Sequence, residues 1–200
     1  MRRFLTALGV AALASSLVLG GTPARAGELG WADAEGDAFP PVVSNPTLDI
    51  VKTSLTTTPE SFVWKTQLKQ LGDPLPIATG HHFTLNFTFG DAAFVMRVTQ
   101  DRVAGDGIVF QKQDETTPTV QNLGCAKCKL SIDPATNTIT LTASLGTMQA
   151  ASRKLVAGAK IDTISVFTGL MWDIPQVGTL YGGSDQGDEA PPPDGATFTL

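Results

Sequence analysis

Hydrophobic residues fall on every second position along much of this chain. Phe83, Leu85, Phe87 and Phe89 alternate with Thr84, Asn86 and Thr88, the period of a strand that buries one face. Gly90-Asp91 then makes a turn and Phe94 to Val98 resumes the strand, so a hairpin is predicted there. Phe62, Trp64, Thr66 and Leu68 share one face of another strand, with Val63, Lys65, Gln67 and Lys69 on the other. Leu48 to Leu55 reads as a strand with Leu48, Ile50 and Leu55 inward, and a turn over 104–107 leads into Ile108 to Gln111. Leu130 to Ile132 and Thr138 to Ala143 flank Asp133-Pro134-Ala135-Thr136-Asn137, a run of turn formers, which predicts a second hairpin. Ile161 to Phe167 and Ala196 to Leu200 complete the strands. Helical spacing appears over Thr147 to Val156, where Met148, Ala151 and Leu155 share a face.

Eight or nine short strands with turn signals between them predict an all-β fold, an antiparallel β-sandwich with one short helix. Strand–helix alternation is missing, which disfavours a parallel sheet. A closed barrel is the structural alternative.

Composition narrows the function classes. With 42% hydrophobic and 16% charged residues the chain buries a core, so disorder is excluded. With 14 Lys+Arg against 19 Asp+Glu the net charge is −5, which argues against a nucleic-acid binder. The first 26 residues change that figure. Arg2-Arg3, an uncharged apolar run from Phe4 to Gly20, and Ala24-Arg25-Ala26 have the order of a secretory signal peptide cut after Ala26. Three of the 14 basic residues (Arg2, Arg3, Arg25) and none of the 19 acids lie there, so the mature chain carries 11 basic and 19 acidic residues, net −8. The expected organisation is a signal peptide over 1–26, an extended Gly/Pro/acid-rich lead-in over 27–46, and a single sandwich domain over 47–200, secreted and without a transmembrane segment.

Four constellations are candidates for chemistry. The acids Asp33, Glu35 and Asp37 share a loop with Gly36, and Asp185, Asp188 and Glu189 share another with Gly187. Carboxylates at alternating loop positions supply the hard oxygen ligands that Ca²⁺ requires, and Asp49 is close enough in sequence to the first strand to join them. A solvated acidic loop is the plain alternative. Cys125 and Cys128 form a Cys-x-x-Cys pair. In an exported protein the pair reads as a local structural disulfide in preference to a redox dithiol, which wants its first cysteine at a helix N-terminus, or to a zinc site, which lacks two further ligands. His81 and His82 should face opposite sides of a strand, so they are poorly placed to act together, and the pair reads as the polar start of a strand. Trp31, Trp64, Trp172 and Tyr181 are the side chains able to stack on a sugar ring. Trp64 is in phase with Phe62 and Leu68 and belongs to the core. Trp172 either stands exposed as a platform, with Tyr181 near it, or plugs one end of the sandwich.

Asp33-Ala-Glu-Gly36-Asp37-Ala, Pro46-Thr-Leu-Asp49-Ile-Val, the Phe83–Phe89/Phe94–Val98 hairpin and Asp133-Pro-Ala-Thr-Asn137-Thr-Ile-Thr together resemble extracellular β-sandwich modules common in secreted actinobacterial proteins, similar to DOMON and family-9 carbohydrate-binding (CBM9-like) domains. The resemblance implies a jelly-roll-like sandwich. It also implies a structural Ca²⁺ held by Asp33, Asp37 and Asp49, with Asp188 as an addition. Some relatives bind sugars and others haem. Met96 and His82 show no axial pairing, so haem is not carried over. The expected function is therefore a secreted, non-catalytic module that binds a ligand or a surface, carbohydrate or a cell-surface component, with structural calcium. The alternatives are an envelope structural or interaction protein with no ligand pocket, and a secreted redox or hydrolytic enzyme built on Cys125 or His82.

Overall fold

The structure is a computed structural model that describes residues 27–38, 46–72, 80–102, 104–114, 119–171, 186–192 and 194–200. Among them are twelve strands and one helix. The strands are β1 (Glu28–Ala32), β2 (Ile50–Thr57), β3 (Ser61–Leu68), β4 (Gly80–Phe89), β5 (Ala92–Asp101), β6 (Gly105–Asp114), β7 (Val120–Asn122), β8 (Lys129–Asp133), β9 (Thr138–Ser144), β10 (Lys160–Met171), β11 (Gln186–Ala190) and β12 (Phe198–Thr199); the helix α1 spans Leu145–Ala151 between β9 and β10. They form two antiparallel sheets packed face to face: one ordered β1-β2-β3-β9-β8, the other β11-β10-β4-β5-β6-β7 with β12 attached to β10. The fold is an all-β sandwich, with more strands than the eight or nine expected. The additions β1, β7 and β11 come from short segments whose own sequences carry little alternation. The stretch expected as an extended lead-in contains β1, which pairs along its length with β2.

Cross-strand rows explain why the alternating positions make a core. On the five-stranded sheet Leu29, Leu55, Trp64, Leu141 and Leu130 stand opposite one another, strand by strand. On the other sheet Ala190, Val166, Leu85, Met96 and Phe110 do the same, and every one is at most 1% exposed. Apolar neighbours of this kind are the unit of sheet stabilisation. The expected inward sets Phe62/Trp64/Thr66/Leu68 and Phe83/Leu85/Phe87 are buried, and Phe89, the last of the second set beside the Gly90 turn, is half-buried.

Leu48, Ile50 and Leu55 are buried as expected, although Ile50 and Leu55 are an odd number of residues apart. A bulge between Ile50 and Lys52 resets the alternation. The helix begins two residues earlier than predicted, because the Ser144 side chain accepts the Thr147 N–H and caps it, and it ends at Ala151, where Ser152 turns extended. Met148 and Ala151 are buried on it, and Leu155 completes that face from the turn that follows. A second bulge lies between Asp162 and Ser165 of β10, and Lys160 and Ile161 beyond it pair with β12.

Candidate metal centre

The carboxylates of Asp33, Asp37 and Asp188 offer oxygens that all lie within 4.8 Å of one another. Residues 155 positions apart in sequence meet there because β1 and β11 lie at the same corner of the sandwich, one on each sheet. The Trp31 Nε1–H joins them directly, donating to the Ala190 carbonyl at 3.1 Å. Trp31, offered by the sequence as a sugar-stacking residue, is instead 6% exposed and holds this corner together.

Each acid is positioned by backbone groups. Asp33 follows β1 directly, and its N–H extends the β1–β2 ladder by donating to the Val51 carbonyl at 3.1 Å. The chain then turns at Gly36, whose φ of 89° lies in the left-handed region that glycine tolerates best. That turn returns Asp37 towards Asp33. Asp188 stands in β11 opposite Thr168, in the inward row that continues through Phe83 and Val98. Its Oδ2 accepts the Ile50 N–H at 2.6 Å and its Oδ1 accepts the Glu189 N–H at 2.9 Å. An acid at the end of an apolar row is poorly hydrated. Burial, opposed by the Ile50 hydrogen bond and reinforced by the charges of Asp33 and Asp37, pushes Asp188 up to about 7. Asp33 is also raised, chiefly by burial and then by Asp37, Asp49 and Glu189. Its Oδ2 is buried without a hydrogen-bond partner.

Asp49, the fourth residue of the expected set, is fully buried beside the cluster but works mainly on the loop. Its Oδ2 accepts the Gly36 N–H at 2.8 Å and lies 3.7 Å from the Lys69 Nζ, which also pairs with Glu35 at 3.6 Å. Its Oδ1 is buried and unpartnered. Asp49 thus ties the Gly36 turn to the body of the sandwich. Buried carboxylate oxygens that lack a donor, next to carboxylates that repel one another, are the donor set a hard cation satisfies.

The other candidates lie elsewhere. Cys125 and Cys128 are joined, with Cα atoms 5.2 Å apart, in the loop that crosses from β7 to β8. They pack against the rim of the core, and neither belongs to a helix. His81 and His82 face opposite sides of β4 as expected, but the polar start of a strand is not what they form, because both are buried. His81 stands edge-on to Phe83, its Nε2 at 3.3 Å from the Thr47 hydroxyl. His82 stands edge-on to Phe167, its Nδ1 at 3.3 Å from the Thr84 hydroxyl, which also accepts the Arg97 Nε–H at 3.2 Å. Burial first, then the positive charge of Arg97, lowers His82 to about 4, so its ring is neutral near pH 7. β4 starts at Gly80, three residues before the strand read from the sequence, so both histidines lie inside the sheet. Trp64 is in the core, donating to the Thr66 hydroxyl at 2.8 Å. Trp172, Tyr181 and residues 1–26, expected as a signal peptide, lie outside the described residues. Among the described residues no helix is long and apolar enough to cross a membrane. In comparisons with known proteins, no family model matches the chain and no curated protein matches it.

Proposed function

We propose that this protein is a secreted, non-catalytic β-sandwich module whose β1–β11 corner is closed by a structural Ca²⁺. The observation that carries the metal is the convergence of Asp33, Asp37 and Asp188 within 4.8 Å. Bound there, the cation offsets the mutual repulsion of the three carboxylates and links the two sheets through their side chains. All-oxygen, acid-rich donors favour Ca²⁺ over the softer transition metals. A rigid corner of this kind serves a binding module by holding its loops in place. The ligand class follows from the resemblance: carbohydrate or another cell-surface component, to be identified on a glycan array.

Thermal and urea unfolding with and without calcium test the site. Free Ca²⁺ at a hundredfold excess over its dissociation constant is expected to add about 2.7 kcal/mol of stability. Asp188→Asn keeps an oxygen to accept the Ile50 N–H and is expected to abolish that gain. Unfolding curves that coincide in calcium and in chelator would remove the site.

A further inference from the structure

The geometry points to β8 as a self-complementary edge, through which two copies of this chain join their five-stranded sheets in antiparallel register. β8 (Lys129–Asp133) ends that sheet, paired with β9 on one side, and no described residue pairs with its other side. An edge of this kind offers unpaired N–H and C=O groups to another strand.

Three features select a second copy as the occupant. The first is charge. Folding the strand Lys-Leu-Ser-Ile-Asp onto itself about Ser131 places Lys129 opposite the second copy's Asp133, and Asp133 opposite its Lys129. All three of these side chains are exposed, and opposite charges facing across an antiparallel pair stabilise it. The second is apolar surface. Leu130 and Ile132 finish rows whose inner members, Leu141 and Ile139, are at most 2% exposed, yet both are themselves half-buried. They line a groove of about 400 Å³ that opens between β8 and the Asp106–Ile108 part of β6. In the self-paired register Leu130 meets Ile132 of the second copy, and both rows continue across the junction. The third is contrast with the other edges. β1 folded on itself sets Glu28 against Ala32, β7 carries no charge, and β11 carries only acids. A symmetric contact of this type closes after two copies and does not propagate along the same edge.

The ladder is short, and stable complexes bury roughly 1,200–2,000 Å², so the pairing is expected to depend on concentration. Sedimentation equilibrium over a dilution series should show a monomer–dimer equilibrium. Lys129→Asp and Asp133→Lys, each placing like charges opposite one another, should each raise the dissociation constant at least tenfold. Mixing the two variants should restore dimers, because every facing pair is then opposite in charge. Asp133 also accepts from the Ala135 N–H and the Thr136 hydroxyl in its turn, so a covalent probe that leaves it in place runs alongside. Ser131→Cys should cross-link to its own copy on oxidation with diamide. Lys129→Cys should not, since four residues of antiparallel offset hold the two sulfurs about 14 Å apart at Cα. A monomer at every concentration overturns the proposal, whether the edge stays bare or takes a strand from another protein. So does a dimer indifferent to the charge at 129 and 133, or one that cross-links through residue 129 and not 131.

Discussion

The β4–β5 hairpin and the β1–β11 corner are built by opposite means. In the hairpin, neighbours in space are neighbours in sequence. Phe87 stands opposite Phe94 across a tight turn, their rings stacked at 5.2 Å, and Phe110 on the next strand lies 6.2 Å from Phe94. Its stability comes from apolar area, in a core that it shares with the facing sheet. At the corner, Trp31 and Ala190 meet from 159 residues apart, and the groups they bring together include buried carboxylates. The hairpin gains free energy by being dry. The corner gives some up by holding charge, which is the expense usual at sites that bind something.

The largest expected effect tests the hairpin. Phe94→Ala should cost about 3–5 kcal/mol in urea unfolding, the range for an aromatic removed from a packed core. It should leave any calcium-dependent gain in stability intact, since the corner lies on other strands. Loss of both together would mean that the two regions are not separate.

A smaller effect concerns the opposite face of β4. His82 has an ordinary value of 6.5 and is lowered to about 4 by burial and by Arg97. Between those values the unfolded chain binds the proton and the folded chain does not. Its contribution is therefore complete above about pH 6.5 and is lost as the pH falls towards 4, by up to about 3 kcal/mol. Unfolding curves of wild type and His82→Gln should converge in slope against pH only outside that window. Equal slopes within it would mean that His82 is as well hydrated as a surface imidazole.

The smallest effect sharpens the corner. Gly36→Ala meets no atom within 4 Å of the new Cβ, so its cost is that of the left-handed backbone alone, about 1–2 kcal/mol. Because the same turn brings Asp37 to Asp33, the variant should also bind calcium more weakly, as titration calorimetry would show. A stability loss with unchanged affinity would separate the turn from the site.

The two regions were unequally legible. Phe62/Trp64/Leu68 and Phe83/Leu85/Phe87 declare their inward faces because alternation is a local property and the sheets obey it. The turns at Gly90-Asp91 and at 133–137 were readable for the same reason. β1 and β11 escaped that reading: Glu28–Ala32 contains glycine and acid, and Gln186–Ala190 is mostly polar. They become strands because a sheet edge was there to receive them. The candidate site was legible in its residue types but not in its division of labour. Asp33, Asp37, Asp49 and Asp188 look equivalent in sequence, and hydrogen bonding separates them: Asp49 accepts the Gly36 N–H and faces Lys69, while the other three converge.

Local pattern, then, determined the all-β class, the two hairpins and the composition of the core, since burial of one strand face requires alternation wherever it occurs. Tertiary structure alone decided which distant carboxylates share a corner, why Asp188 is reluctant to ionise, and where His81 and His82 are hidden. Those outcomes depend on which residues distant in sequence the fold packs against each group, on the facing sheet or on a neighbouring strand, and sequence spacing carries no record of that distance.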